Sequence, residues 1–129
     1  MHVRALFIVQ AALFLLLAGL FSAGLYFYLQ WLWWWYDIVL HLLGGVWVAL
    51  VLMWLAMVSR QVPRIVPVLL GVLVVGVLWE LFEVVVGMPR AANYTFDTSL
   101  DILNDVLGSI VGFFLGHTMI RGMSVEVIE

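Results

Sequence analysis

Residues 37–58 read DIVLHLLGGVWVALVLMWLAMV. Beyond Asp37 and His41 this stretch carries no ionisable side chain. A helix of about 20 apolar residues crosses a hydrocarbon core about 30 Å thick, so the stretch is expected to be a membrane span with an acid and an imidazole at one end. Three more stretches of similar length flank it, at residues 5–28, 65–86 and 98–120. The expected fold is therefore all-α, a bundle of four transmembrane helices forming one integral membrane domain over residues 1–129.

Composition supports the bilayer as solvent. Of the 129 residues, 67% are hydrophobic and 10% charged, whereas a soluble domain averages about half apolar. A small soluble fold keeps too much surface wet to hide that excess. There is no cysteine, which removes disulfides, thiolate metal sites and thiol nucleophiles. The net charge of −3 and the lack of a basic stripe argue against nucleic acid as a partner. Arg4 before the first apolar run resembles the start of a signal peptide. That run is longer than a signal core of about 7–15 residues, and bulky Phe21 stands where a small residue is expected, so it is read as a span.

The connections carry start and stop signals. Ser59-Arg60-Gln61-Val62-Pro63-Arg64 is polar with a proline suited to a helix start. Gly87-Met88-Pro89-Arg90 offers a terminating glycine and then a proline. Trp31, Trp33, Trp34, Trp35 and Tyr36 crowd the first connection, and such aromatics favour the headgroup level. All five basic residues are arginines. With both termini cytoplasmic, Arg4, Arg60, Arg64 and Arg121 lie inside and Arg90 alone lies outside, as the positive-inside rule prefers. The expected location is the inner (plasma) membrane, crossed several times. Asn93-Tyr94-Thr95 matches a glycosylation sequon, but the match is weak. His2 and His117 fall on the cytoplasmic side and receive no role.

Threading the acids onto these spans locates the chemistry. Glu126 and Glu129 belong to the tail. Asp37, Glu80, Glu83, Asp97, Asp101 and Asp105 all fall in the outer half, with His41 one turn below Asp37. Asp37 and His41, Glu80 and Glu83, and Asp101 and Asp105 are three or four residues apart, so each pair shares a helix face. A charged side chain within a span costs about 2.5–3.5 kcal/mol on insertion scales. Glu80, Glu83 and Asp105 are too deep to be interfacial, so protons or a cation must offset them.

Plainer readings compete. Asp37 and Asp97 suit helix N-termini, and Thr98-x2-Asp101 has the form of a capping box. Gly44 and Gly45, and Gly108, Gly112 and Gly116 at four-residue intervals, are expected to let helices approach closely.

The ordered pattern Asp37-x3-His41 with following glycines, Trp79-Glu80-x2-Glu83, and Thr98-x2-Asp101-Ile102-x2-Asp105-x2-Gly108-x3-Gly112 resembles the VanZ-like group of small membrane proteins, and more closely their YjdF-like relatives. The resemblance covers about residues 36–116. Glu83 stands where the VanZ-like pattern has glutamine and Asp105 where it has asparagine, which favours the YjdF-like branch and a more acidic site. The resemblance implies a four-span protein with a polar outer site and names no reaction.

Three functions are carried forward. The first is a metal-dependent hydrolase or transferase acting on a lipid or lipid-linked envelope molecule. His41, Glu80, Glu83, Asp101 and Asp105 would ligate Mg²⁺, Mn²⁺, Fe²⁺ or Zn²⁺. Asp37, Asp97 and Asn104 would support them, Asp37 by orienting His41, and Glu80 and His41 are the candidate catalytic groups. The second is a non-catalytic protein that binds an envelope ligand. The third is a cation or proton transporter, for which a homo-oligomer through the glycine-rich fourth span would supply the pore.

Overall fold

A computed structural model describes residues 2–88 and 92–125. Arg90, Pro89, Glu126 and Glu129 lie outside the described residues. The described chain forms α1 (His2–Tyr26), α2 (Leu29–Leu32), α3 (Trp34–Val58), α4 (Ile65–Val86) and α5 (Tyr94–Val125), with no strand among the described residues. Within α1, α3, α4 and α5, the segments Val3–Tyr26, Trp34–Val58, Ile65–Val86 and Tyr94–Arg121 are long and apolar enough to cross a membrane. The described chain is thus all-α, with four helices able to span a membrane.

The helix ends follow from local chemistry. Tyr28 takes a left-handed conformation (φ 57°), which separates α1 from the one-turn α2 that the sequence reading did not anticipate. Pro67 sits in the first turn of α4, where a missing N–H costs no helical bond. Gly87 (φ 72°) closes α4. Its N–H reaches Val84 O and the Met88 N–H reaches Glu83 O, the bond pair of a Schellman motif.

Two boundaries correct the sequence reading. α5 starts at Tyr94 rather than near Thr98, so Thr98 is inside the helix and not its cap. Its hydroxyl points to another helix instead, and the capping-box reading fails. Asp37 is likewise in the first turn of α3, whose N-cap is Trp33.

α3 and α5 run parallel and form the closest pair. A Cβ at Gly45 would collide with the Asp105 carbonyl, one at Gly108 with the Leu42 carbonyl, and one at Gly112 would lie 2.7 Å from Val46 O. The glycine face of α5 is therefore occupied by α3 of the same chain, which leaves no room there for a second copy. α1 and α4 run antiparallel to this pair. Tyr36 ties α3 to α1 by donating its hydroxyl to Leu20 O at 2.7 Å. The apolar core, with Leu6, Ala49, Leu50, Met53 and Val72 all but sealed, fills the end away from the α4–α5 connection. The buried acids and His41 gather at the other end, while Gln10 of α1 is buried on the core side.

Candidate functional site

The glycine contacts decide what meets what. Because α3 and α5 touch backbone to backbone, His41 is pressed against the α5 face that carries Asp101 and Asp105. α4 crosses the same face in the opposite direction and brings Glu80. Gly76 of α4 has no side chain where Asp105 needs space: a Cβ there would lie 2.5 Å from Asp105 Oδ2. His41, Glu80, Asp101 and Asp105 are each more than nine-tenths buried, at 6%, 7%, 5% and 7% exposure. Asp37 is the more open member, with its side chain 35% exposed.

His41 is the hub. Its Nδ1 lies 3.3 Å from Asp105 Oδ1. Its Nε2 faces Asp37 Oδ1 at 3.9 Å, Asp101 Oδ1 at 3.9 Å and Glu80 Oε1 at 4.0 Å. With the proton on Nδ1 and donated to Asp105, Nε2 presents its lone pair to three carboxylates. Glu80 Oε2 accepts a hydrogen bond from Thr98 Oγ at 2.8 Å. Glu80 Oε1 is buried and has no hydrogen-bond partner. A sealed, unsatisfied carboxylate oxygen is costly, and this one is turned toward the imidazole.

Ligand atoms of Asp37, His41 and Asp101 lie within 4.8 Å of one another, a grouping that could hold a metal ion. Zinc bonds of about 2.0–2.2 Å at tetrahedral angles imply ligand atoms about 3.4 Å apart. The separations from Nε2, 3.9–4.0 Å, exceed that by about half an ångström.

The residues singled out in the sequence divide as follows. His41, Glu80, Asp101, Asp105 and Asp37 converge. Asp105 Oδ1 meets Nδ1, and Asp37 Oδ1 faces Nε2. Glu83 lines the same cavity as Asp37, His41 and Asp105, its Oε1 accepting from Trp79 Nε1 at 2.8 Å. Asn104 donates to Leu100 O of its own helix at 2.9 Å, and Asp97 lies in the first turn of α5. Thr98 was missed as the partner of Glu80. Its spacing of three residues from Asp101 was the available signal, because it puts both on one helix face.

A cavity of about 320 Å³ opens beside the cluster. Asp37, His41, Glu83 and Asp105 stand at its polar end, and Phe14, Leu17, Trp47, Val72 and Val75 are among its apolar walls.

Residues 2–122 match a family described as predicted membrane protein (DUF2238). No curated protein and no solved structure matches the chain.

Proposed function

We propose that this chain, which belongs to the DUF2238 family of predicted membrane proteins, holds a divalent metal ion and uses it to act on a lipid or lipid-linked envelope molecule. The ligands are His41 Nε2 and the carboxylates of Asp37, Glu80 and Asp101, with Asp105 fixing the ring through Nδ1. The observation that carries the reading is Glu80 Oε1, buried, unpartnered and 4.0 Å from His41 Nε2. A divalent ion neutralises carboxylates whose burial in a span is otherwise unfavourable. An oxygen-rich set with one imidazole suits Mn²⁺, Fe²⁺, Zn²⁺ or Mg²⁺. Such an ion supplies polarisation of a phosphoryl or carbonyl oxygen and acidification of a bound water.

In this reading the site faces outward in the inner membrane, with Arg4, Arg60, Arg64 and Arg121 on the cytoplasmic side. The VanZ-like, YjdF-like ordering of the His, Glu and Asp elements belongs to the same proposal. Reaction or binding is favoured over transport, because the acids meet an apolar cavity rather than a polar path toward the other end of the bundle.

The test is metal content. Protein purified in lipid nanodiscs, loaded with Mn²⁺ or Zn²⁺ and dialysed, should retain about one ion per chain, as one set of ligands of this kind allows. Glu80→Gln and Asp101→Asn should retain far less. Equal retention by wild type and both variants would refute the site.

A further inference from the structure

We infer that the cavity between α1, α3 and α4 seats one hydrocarbon chain of a bilayer lipid, which enters sideways between α1 and α4 and leaves its polar head against His41. This deepens the proposed function and rests on the polar cluster being where that head is handled.

Four observations carry it. First, α1 and α4 do not pack on one another along the bundle. Each packs on α3, and no backbone of one approaches the other among the described residues. The space between them faces the surroundings of the bundle, which for these helices is lipid. Second, the walls are largely apolar and one is left open by a missing side chain. Gly44 lines the cavity, and a Cβ on it would meet only Asp105 Oδ1, at 3.9 Å. Third, the axial extent fits one leaflet. The lining runs on α4 from Val72 to Glu83, about 16 Å at 1.5 Å per residue, or roughly half of a 30 Å hydrocarbon core. A volume of about 320 Å³ lies at the small end of ligand sites, typically about 300–1,000 Å³. This favours a single slender chain over a bulky ring system.

Fourth, the cavity is polar at one end only. Asp37, His41, Glu83 and Asp105 stand there, so an amphiphile is oriented on entry, with tail along the helices and head at the cluster. Phe21 of α1 and Trp79 of α4 meet edge to face beside this end, ring centroids 5.5 Å apart. They close the gap between α1 and α4 at the level of the head and leave the deeper part as the way in for a tail. Trp79 also donates to Glu83, so the ring that shuts this gap is tied to a carboxylate at the polar end. A soluble ligand has no reason to use a cavity lined this way, and a second copy of the chain would need a helix narrow enough for a one-chain slot.

The probe is a phosphatidylglycerol carrying a diazirine midway along one acyl chain, added to nanodiscs of phosphatidylethanolamine around the full-length protein. After irradiation, adducts are mapped by peptide mass spectrometry. They should concentrate on the cavity-lining Leu17, Val48 and Val72 over the outward-facing Leu15 and Leu70, which are 71% and 58% exposed. Ala18→Trp, or Val48→Trp from the opposite wall, should fill the slot and cut these adducts about tenfold, while metal retention stays at the wild-type level. Glu80→Gln should keep the adducts although it loses metal, so failure of the metal reading and failure of this one are read separately. Adducts spread evenly over the lipid-facing helices and indifferent to both tryptophan variants would overturn the inference. So would cross-links at these residues to a second copy of the chain.

Discussion

Asp101 and Asp105 make the most discriminating pair of substitutions, because they sit one turn apart on α5, are both buried and face different nitrogens of His41. Asp105 Oδ1 is 3.3 Å from Nδ1, and Asp101 Oδ1 is 3.9 Å from Nε2. Asp105→Asn keeps an oxygen able to accept the Nδ1 proton and removes only the charge. Loss of such an orienting partner weakens metal binding about 10–100-fold, or roughly 1.4–2.7 kcal/mol. Asp101→Asn removes a ligand itself and should weaken binding by more than about 100-fold, beyond the range of a lost orienting contact. The assay is Mn²⁺ titration in nanodiscs, reading free Mn²⁺ by electron paramagnetic resonance, with circular dichroism confirming that each variant is folded. Equal losses, or a larger loss for Asp105→Asn, would refute the assignment of Nε2 to the ion. Asp105 would then be a ligand, as spacing alone first suggested.

Gly112→Leu should lower thermal stability in detergent by about 1–3 kcal/mol, the usual cost of overpacking, because its Cβ would lie 2.7 Å from the Val46 carbonyl oxygen. Gly19→Ala, with nothing within 4 Å of the added carbon, should stay within about 0.5 kcal/mol of wild type. Similar melting temperatures for the two would place the glycine face against lipid. Reporter fusions at residue 129 and in the connection near Asn93 should report opposite sides of the membrane, with the C-terminus cytoplasmic. A periplasmic C-terminus would invert the orientation, and a same-side result would contradict four crossings.

The spans were legible because length and apolarity alone decide them: 65–86 coincides with α4, and the others differ only at their ends. The gathering of the acids was legible too, since depth follows from position along a span. The α1–α2 break was not, because it turns on Tyr28 adopting a positive φ that its residue type does not announce. Nor was the arrangement of the acids around the two ring nitrogens of His41. Asp37 is its neighbour one turn back on α3, and sequence spacing made it the natural orienting group. Which nitrogen faces which acid depends on the ring's rotation and on the lateral offset of α5 against α3, and neither leaves a trace in periodicity. Glu83 illustrates the limit from the other side. It shares a helix face with Glu80, yet it bonds to Trp79, which lies on its own helix one turn back.

The glycine contacts between α3 and α5 also set a gradient of compliance. At Gly45 and Gly108 the opposing atoms are backbone carbonyls, which cannot turn aside. At Gly116 the nearest atoms are Sδ and Cε of Met53, the free end of a flexible chain. The two helices are therefore held by backbone against backbone beside His41 and by side-chain packing at their other ends. A larger residue at the far end meets the Met53 side chain first, and not backbone. Substitution should follow the same gradient, with positions 45 and 108 confined to glycine and position 116 open to alanine when Met53 shortens.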